Sequence, residues 1–186
     1  MRKSSQAAIP PEGFRYEEEL LLPEEESDLI RQIKTLPLKE FEFHGYTGKR
    51  RVVSFGWHYD FGSFSLNRVE DIPDFLKPLH EKAAAFARLS PEEFPHVLVT
   101  EYTPGTPIGW HRDKAVFEDV VGISLGSACR FRFRRKQGDK WERYALDLLP
   151  RSFYLLRGPS RTEWEHSIPA VEQLRYSITF RSLRRN

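Results

Sequence analysis

His111 and Asp113 stand two residues apart, and His166 follows further downstream. Two imidazoles and one carboxylate are the ligand set of a non-haem Fe(II) facial triad, which leaves one face of the metal open to a cosubstrate and O₂. On an extended segment, side chains two residues apart point to the same side, so one strand end can present both His111 and Asp113. His166 is the best third ligand, because Gly158-Pro159 and Pro169 place it near a strand end. The same set also suits catalytic zinc. Arg175 and Arg181 weigh against zinc, since a zinc hydrolase has no need of two arginines on its last strand.

The segment Arg175-Tyr176-Ser177-Ile178-Thr179-Phe180-Arg181 has a strand's alternation. Arg175, Ser177, Thr179 and Arg181 share one face, and burying that face is costly unless something anionic meets it. A dicarboxylate fits, because guanidinium holds carboxylate through two parallel hydrogen bonds. The alternative is the solvent-exposed face of an outer strand.

The elements that must position these residues can be read along the chain. Residues 1–13 are polar, carry Pro10-Pro11 and read as a flexible tail ahead of one domain over 14–186. Pro23 opens a helix with Glu24, Glu25 and Glu26 at the positive end of its dipole, and Leu29, Ile30, Ile33 and Leu36 form its apolar stripe. A second helix runs from near Pro78 to Leu89, burying Leu79, Ala83 and Phe86. Phe41 to Phe64 is aromatic and glycine-rich, which suggests a β-hairpin or lid over about 41–64. Short strands follow: Val97–Val99, Val121–Leu125, the alternating Arg130-Phe131-Arg132-Phe133-Arg134, its return past Gln137-Gly138-Asp139, Phe153–Leu156 and Tyr176–Phe180. The expected fold is α+β and mainly β: a double-stranded β-helix, or jelly-roll barrel, over about 96–184 with flanking N-terminal helices.

Bulk properties exclude some classes. A chain of 186 residues buries roughly 70% of its unfolded surface, enough for a core without staples. Cys129 is the single cysteine, read as a barrel-interior residue, so no intrachain disulfide is available and a cytoplasmic setting is expected. No apolar run approaches a membrane span, and a monomer is the default for such a barrel. Net charge is +2, yet the cations cluster at Lys49-Arg50-Arg51, Arg130 to Lys136 and Arg181 to Arg185, where they could meet phosphates. The other histidines have weaker claims to a metal: His44 and His58 lie in the lid, His80 on a helix and His96 beside Pro95.

Taken together, the residues resemble the AlkB family of Fe(II)- and 2-oxoglutarate-dependent dioxygenases. The similarity covers roughly residues 41 to 184. It rests on Tyr102-Thr103-Pro104-Gly105, His111-x-Asp113-Lys114, Ile123-Ser124-Leu125-Gly126, Leu149-Pro150-Arg151-Ser152, Trp164-x-His166-x-Ile168 and Arg175-x-Ser177-x-x-x-Arg181. The resemblance implies Fe(II) held by His111, Asp113 and His166, with O₂ and 2-oxoglutarate as cosubstrates. It implies that Arg175 pairs with the distal carboxylate of 2-oxoglutarate, that Tyr102 donates to it, and that Arg181 lies near its other end or braces Asp113. Thr100 and Ser177 stand where the family often has Asn; both can still hydrogen-bond, with shorter reach. Ala115 stands where several DNA-repair members carry an acidic residue that reads an exocyclic amine.

Arg51-Val52-Val53-Ser54-Phe55-Gly56 resembles the family's nucleotide-recognition lid. Arg51, Ser54, Phe55, Trp57 and Tyr59 are then candidate substrate contacts, with aromatic rings stacking on a flipped base. Arg161 joins Lys49, Arg50 and Arg51 as a basic ring expected around the mouth, and Trp164 is expected to pack beside His166. The implied reaction is oxidative demethylation of N-alkylated bases in DNA or RNA, with a methylated nucleic acid as partner. The alternative is the same cofactor chemistry on a protein side chain or small molecule.

Overall fold

The computed structural model describes residues 9–43, 46–60 and 65–184. Most of the expected tail, and His44 and residues 61–64 of the expected lid, lie outside the described residues. So do the side chains of His58 and Tyr59.

Two helices cover one side of the molecule. The first, α1 (Pro23–Ile33), starts at its proline, and the Glu25 carboxylate accepts from the Leu22 backbone N–H at 2.8 Å, satisfying one donor the helix start leaves free. It buries Leu29 and Ile33. The second, α2 (Lys77–Ala87), buries Leu79, Ala83 and Phe86 as its periodicity predicts, and closes on Arg88 in the left-handed conformation. Among the described residues no helix is long and apolar enough to cross a membrane.

The strands, in chain order, are β1 (Phe14–Glu17), β2 (Lys39–Phe43), β3 (Tyr46–Phe55), β4 (Trp57–Asp60), β5 (Ser65–Arg68), β6 (His96–Tyr102), β7 (Ile108–His111) and β8 (Phe117–Leu125). They continue as β9 (Cys129–Gln137), β10 (Lys140–Leu148), β11 (Ser152–Leu156), β12 (Glu165–Ile168) and β13 (Arg175–Leu183), with a one-turn helix α3 (Pro159–Thr162) before β12. The large sheet runs β1-β11-β8-β13-β6-β3-β2, the small sheet β10-β9-β12-β7, and β4-β5 forms a separate hairpin. The pairing within each sheet is antiparallel throughout. This is the jelly-roll arrangement expected from the sequence.

Period-two alternation divides the core into two layers. Val97, Val99, Ile123, Tyr176, Ile178 and Phe180 face the helices. Tyr102, Val120 and Tyr154 face the small sheet, where they meet Cys129, Phe131 and Phe133. The Phe131 and Tyr154 rings close this inner layer at 5.0 Å. Cys129 is buried there, as expected.

Two regions differ from the sequence reading. First, the segment from residue 41 holds the antiparallel pair β2–β3, in keeping with a hairpin, but β3 also pairs with β6 from Arg51↔Glu101 to Phe55↔Val97 and so belongs to the main sheet. Second, the aromatic alternation of Phe55, Trp57 and Tyr59 is interrupted. Gly56 has φ +75°, and a Cβ there would fall 1.9 Å from the Pro95 carbonyl oxygen, so the chain turns between β3 and β4 at a position only glycine fits. Phe55 ends up 3% exposed in the helix-side core.

Candidate active site

Strand β13 lies at the centre of the large sheet, between β8 and β6, and both its faces are buried. This excludes the reading of an exposed outer strand. The register places Arg175 opposite Tyr102, and Ser177 opposite both Thr100 and Ser124, so the inward face of three adjacent strands is polar. Arg175 is 0% exposed. Its Nε donates to Ser124 Oγ at 3.2 Å, its guanidinium lies 5.0 Å from the centre of the Tyr102 ring, and its Nη1 has no hydrogen-bond partner. A buried cationic donor left without an acceptor is costly, and a carboxylate satisfies it.

The triad residues converge from the small sheet. His111 ends β7, Asp113 follows in the next loop, and His166 pairs directly with His111 across β12 and β7. The two imidazole rings are 4.3 Å apart, and His166 Nε2 is 3.7 Å from Asp113 Oδ2. His111 Nδ1 meets the Gly109 carbonyl at 2.9 Å; as a donor it leaves Nε2 with a free lone pair. Arg181 engages the other carboxylate oxygen, with Nε and Nη2 each 3.1 Å from Asp113 Oδ1. Oδ2 thus remains on the histidine side. Among the described residues no three such groups are arranged to hold a metal ion as they stand; His111 and His166 pack ring against ring, and Arg181 holds one oxygen of Asp113.

Electrostatics suit this donor set to a divalent cation. Burial pushes His166 down to about 3, and burial likewise lowers His111, so both imidazoles are neutral with lone pairs available. Burial, the largest single influence, would raise the Asp113 carboxyl, but Arg181 together with His166, His111 and Arg161 outweighs it and holds the group ionised. Two neutral imidazoles and one anionic carboxylate fit Fe(II), and the unpartnered Arg175 donor fits the carboxylate of 2-oxoglutarate.

Residues 13–181 match the 2OG-Fe(II) oxygenase superfamily. The chain belongs to that superfamily. As such it is a dioxygenase dependent on Fe(II), 2-oxoglutarate and O₂. Similar proteins include the alkylated DNA repair protein ALKBH8 homolog of Arabidopsis thaliana, 28% identical over 74% of this chain and 47% of the relative. The chain therefore spans about half the length of that protein. The DNA oxidative demethylase ALKBH2 of Bos taurus is 27% identical over 94% of this chain and 71% of its own length. Among solved structures, OsALKBH1 superposes with a TM-score of 0.68 at 21% identity, covering 94% of this chain and 98% of that one. These AlkB homologues agree with the resemblance read in the motifs, and the solved structure matches in fold.

On the substrate side the oxygenase departs from the sequence reading. Arg51 does not face the site: its Nε donates to Glu101 Oε1 at 2.8 Å, and Glu101 also accepts from the Tyr176 hydroxyl, which belongs to the helix-side layer. Its neighbour Arg50 takes the inward position. Arg50 hydrogen-bonds Tyr102, and burial lowers its pKa, with Arg181 and Asp113 both near enough to act on it. The Arg50 guanidinium also lies 4.0 Å from the centre of the Phe41 ring. The signal was present in the sequence as alternation, since adjacent strand residues cannot both point inward, but choosing between them required the β3–β6 register.

Arg161 is also misassigned as a rim residue. It is 5% exposed, and Nη2 donates to the backbone carbonyls of Lys114 and Phe117. These carbonyls flank the turn that follows Asp113, so Arg161 clamps the loop bearing the carboxylate. Phe55 is sealed in the helix-side core, which rules out stacking on a base. Trp57 lines an open cleft of about 540 Å³ with His80 and Pro95, and the His80 ring stacks on Phe180 on the helix side of the sheet. Ser54 is opposite Leu98 on the inward face of β3, which keeps it as a candidate, while the Tyr59 side chain lies outside the described residues. Trp164 is buried under Arg135; besides His111, the rings that flank His166 are Phe131 and Phe133, at 5.4 and 6.3 Å.

Proposed function

We propose that the chain is an oxidative demethylase of N-alkylated bases in DNA or RNA. The observation that carries the dioxygenase chemistry to these residues is the buried, unpartnered Nη1 of Arg175 on the same inward face as Arg181, which holds Asp113. His111, Asp113 and His166 would hold Fe(II). Arg175 and Tyr102 would take the distal carboxylate of 2-oxoglutarate, with Thr100 and Ser177 as short polar neighbours. Arg181 keeps Asp113 ionised and oriented, and Phe131 and Phe133 exclude water from the His166 side. Bound Fe(II) with 2-oxoglutarate and O₂ supplies C–H hydroxylation, 2-oxoglutarate leaving as succinate and CO₂, so that an N-methyl carbon ends as formaldehyde.

The nucleic-acid reading is supported by the AlkB relatives, one of which is named a DNA oxidative demethylase. It is also supported by Arg50, a cation at the inner edge of the site that could meet a phosphate or base edge. Ala115 is exposed in the loop after Asp113 and offers no acceptor to an exocyclic amine, which directs the reading away from 1-methyladenine and 3-methylcytosine repair. The competing substrate is a protein side chain or small molecule. Mass spectrometry of a methylated DNA and RNA oligonucleotide panel with Fe(II), 2-oxoglutarate and ascorbate separates them. Loss of a methyl mass with matched succinate and formaldehyde is expected. A panel that leaves succinate at its substrate-free rate would sink the nucleic-acid reading.

A further inference from the structure

The small sheet has a second face, turned away from the site. Alternation from the inward His111, Phe131 and Phe133 puts Trp110, Arg132, Arg134 and Trp141 on it. The Arg134 guanidinium lies 4.5 Å from the ring centres of both Trp110 and Trp141, and Arg132 lies 5.0 Å from Trp110. Arg134 is fixed in turn by Glu165 at 2.6 Å. The two indoles thus share one pinned cation, which lies over both rings, with Trp141 39% exposed.

Charge separates this face from the rest of the molecule. The whole chain carries a net +2. This face carries Arg130, Arg132, Arg134, Lys136 and Arg143 against Asp147 and Glu165, so it alone exceeds the charge of the whole. Arg130, Lys136 and Arg143 are exposed, Arg130 pairing with Asp147 at 3.1 Å. Nothing in the triad, the cosubstrate pocket or the inner core uses these residues.

We propose that this outward face is a platform for single-stranded nucleic acid, with bases stacking on Trp110 and Trp141 and phosphates meeting Arg130, Lys136 and Arg143. Cations along a backbone track combined with accessible aromatic rings are what sequence-tolerant single-strand binding requires, and here Trp141 is exposed while Trp110 is half-buried. An acidic polypeptide would use the cations alone and leave the indoles idle. Only an unpaired strand offers open base faces to them. Trp110 immediately precedes His111 on β7, so the platform and the iron site lie on opposite faces of one strand end. A strand seated on the platform would have to pass the edge of β7, the last strand of the small sheet, to reach the reacting centre. The proposal rests on the nucleic-acid reading above.

The test is fluorescence anisotropy of labelled, unmodified oligo(dT) and oligo(U) with the full chain at several salt concentrations. Wild type is compared with Trp141→Ala, Trp141→Phe and Arg143→Glu, all at exposed positions. Trp141→Ala should weaken binding roughly tenfold without changing the salt slope, and Trp141→Phe should recover most of it. Arg143→Glu should weaken binding and reduce the slope by about one. Succinate release in the absence of nucleic acid should be the same in all four proteins. Absence of oligonucleotide binding by wild type overturns the platform. So does loss of binding in Arg143→Glu with none in Trp141→Ala, which would mark a general polyanion surface such as one for acidic protein. The two proposals fail separately. Trp141-dependent binding without demethylation of any methylated oligonucleotide removes the substrate reading and keeps the platform. Demethylation that Trp141→Ala leaves unchanged, in affinity and turnover, does the reverse.

Discussion

Strands β13 and β3 both send an arginine into the interior, under different constraints. β13 is the central strand of the large sheet, with neighbours on both sides and both faces buried. Each arginine on it has one place to go: Arg181 to Asp113, and Arg175 into a pocket where one of its donors has no protein partner. β3 is next to the sheet's edge, between β6 and β2. There Arg50 and Arg51 divide between the two faces, and both are only partly covered. The candidate cosubstrate pocket thus sits on a strand whose two pairings are deep in the sheet, and the candidate substrate side on one whose outer pairing is with the edge strand β2 and carries a register shift.

The largest expected effect lies at the triad. Anaerobic Fe(II) plus 2-oxoglutarate should give wild type the weak visible charge-transfer band of the chelate. His166→Ala should lose both the band and turnover; a variant that keeps the band would remove His166 from the ligand set. Next comes Arg175→Met. Without 2-oxoglutarate this change removes a buried, incompletely paired charge, so the melting temperature should hold or rise. Affinity for 2-oxoglutarate should fall by about 2 kcal/mol or more, roughly thirtyfold, because the ligand carboxylate then meets no guanidinium. Thermal melts with and without 2-oxoglutarate and Mn(II) read both signs. A stabilising shift equal to that of wild type would break the assignment.

Legibility in the sequence follows the same division. The Arg175–Arg181 face was readable because the alternation of β13 is strict and both its faces are buried, so a slip of one residue would have been ruinous. His111 and Asp113 stood out only by residue type and spacing, since β7 is short and partly exposed. α1 and α2 were readable from prolines, first-turn acids and apolar spacing. What failed was whatever depended on pairing between distant segments. Arg51 was chosen over Arg50 because no local feature tells two adjacent arginines apart. Phe55 and Trp57 looked like one aromatic face because the positive φ of Gly56 is invisible without Pro95 beside it. Arg161 read as a surface cation because charged residues normally are; only the carbonyls of Lys114 and Phe117, brought back by the fold, explain its burial.

Arg161 gives an effect of intermediate size. It supports the metal carboxylate through the backbone and not by touching it. Arg161→Met should therefore lower Mn(II) or Co(II) affinity by about 10- to 100-fold, the range seen when outer partners of metal ligands are removed. Titration by electron paramagnetic resonance measures it directly. Unchanged metal affinity would reduce Arg161 to a packing residue. Arg161→Lys should recover only part, since one ammonium on a flexible stem is a poorer match to two fixed carbonyls than a planar guanidinium.

The smallest effects, and the sharpest contrast, come from the adjacent pair on β3. Arg51 is an ion-pair partner whose side chain is 47% exposed, so solvent screens much of its bond to Glu101. Arg51→Ala should cost no more than about 1 kcal/mol of stability and leave the KM for a methylated oligonucleotide where it was. Arg50→Ala should do the opposite. It removes a cation that faces Tyr102, Arg181 and Asp113, so stability should be kept while the oligonucleotide KM rises roughly tenfold, the loss of about one charged contact. The KM for 2-oxoglutarate should move less, because Arg175 remains. If Arg51→Ala raises the oligonucleotide KM and Arg50→Ala does not, then β3 pairs one residue out of register in solution, and the inward face of the edge would need to be reassigned from Arg50, Val52 and Ser54 to their neighbours.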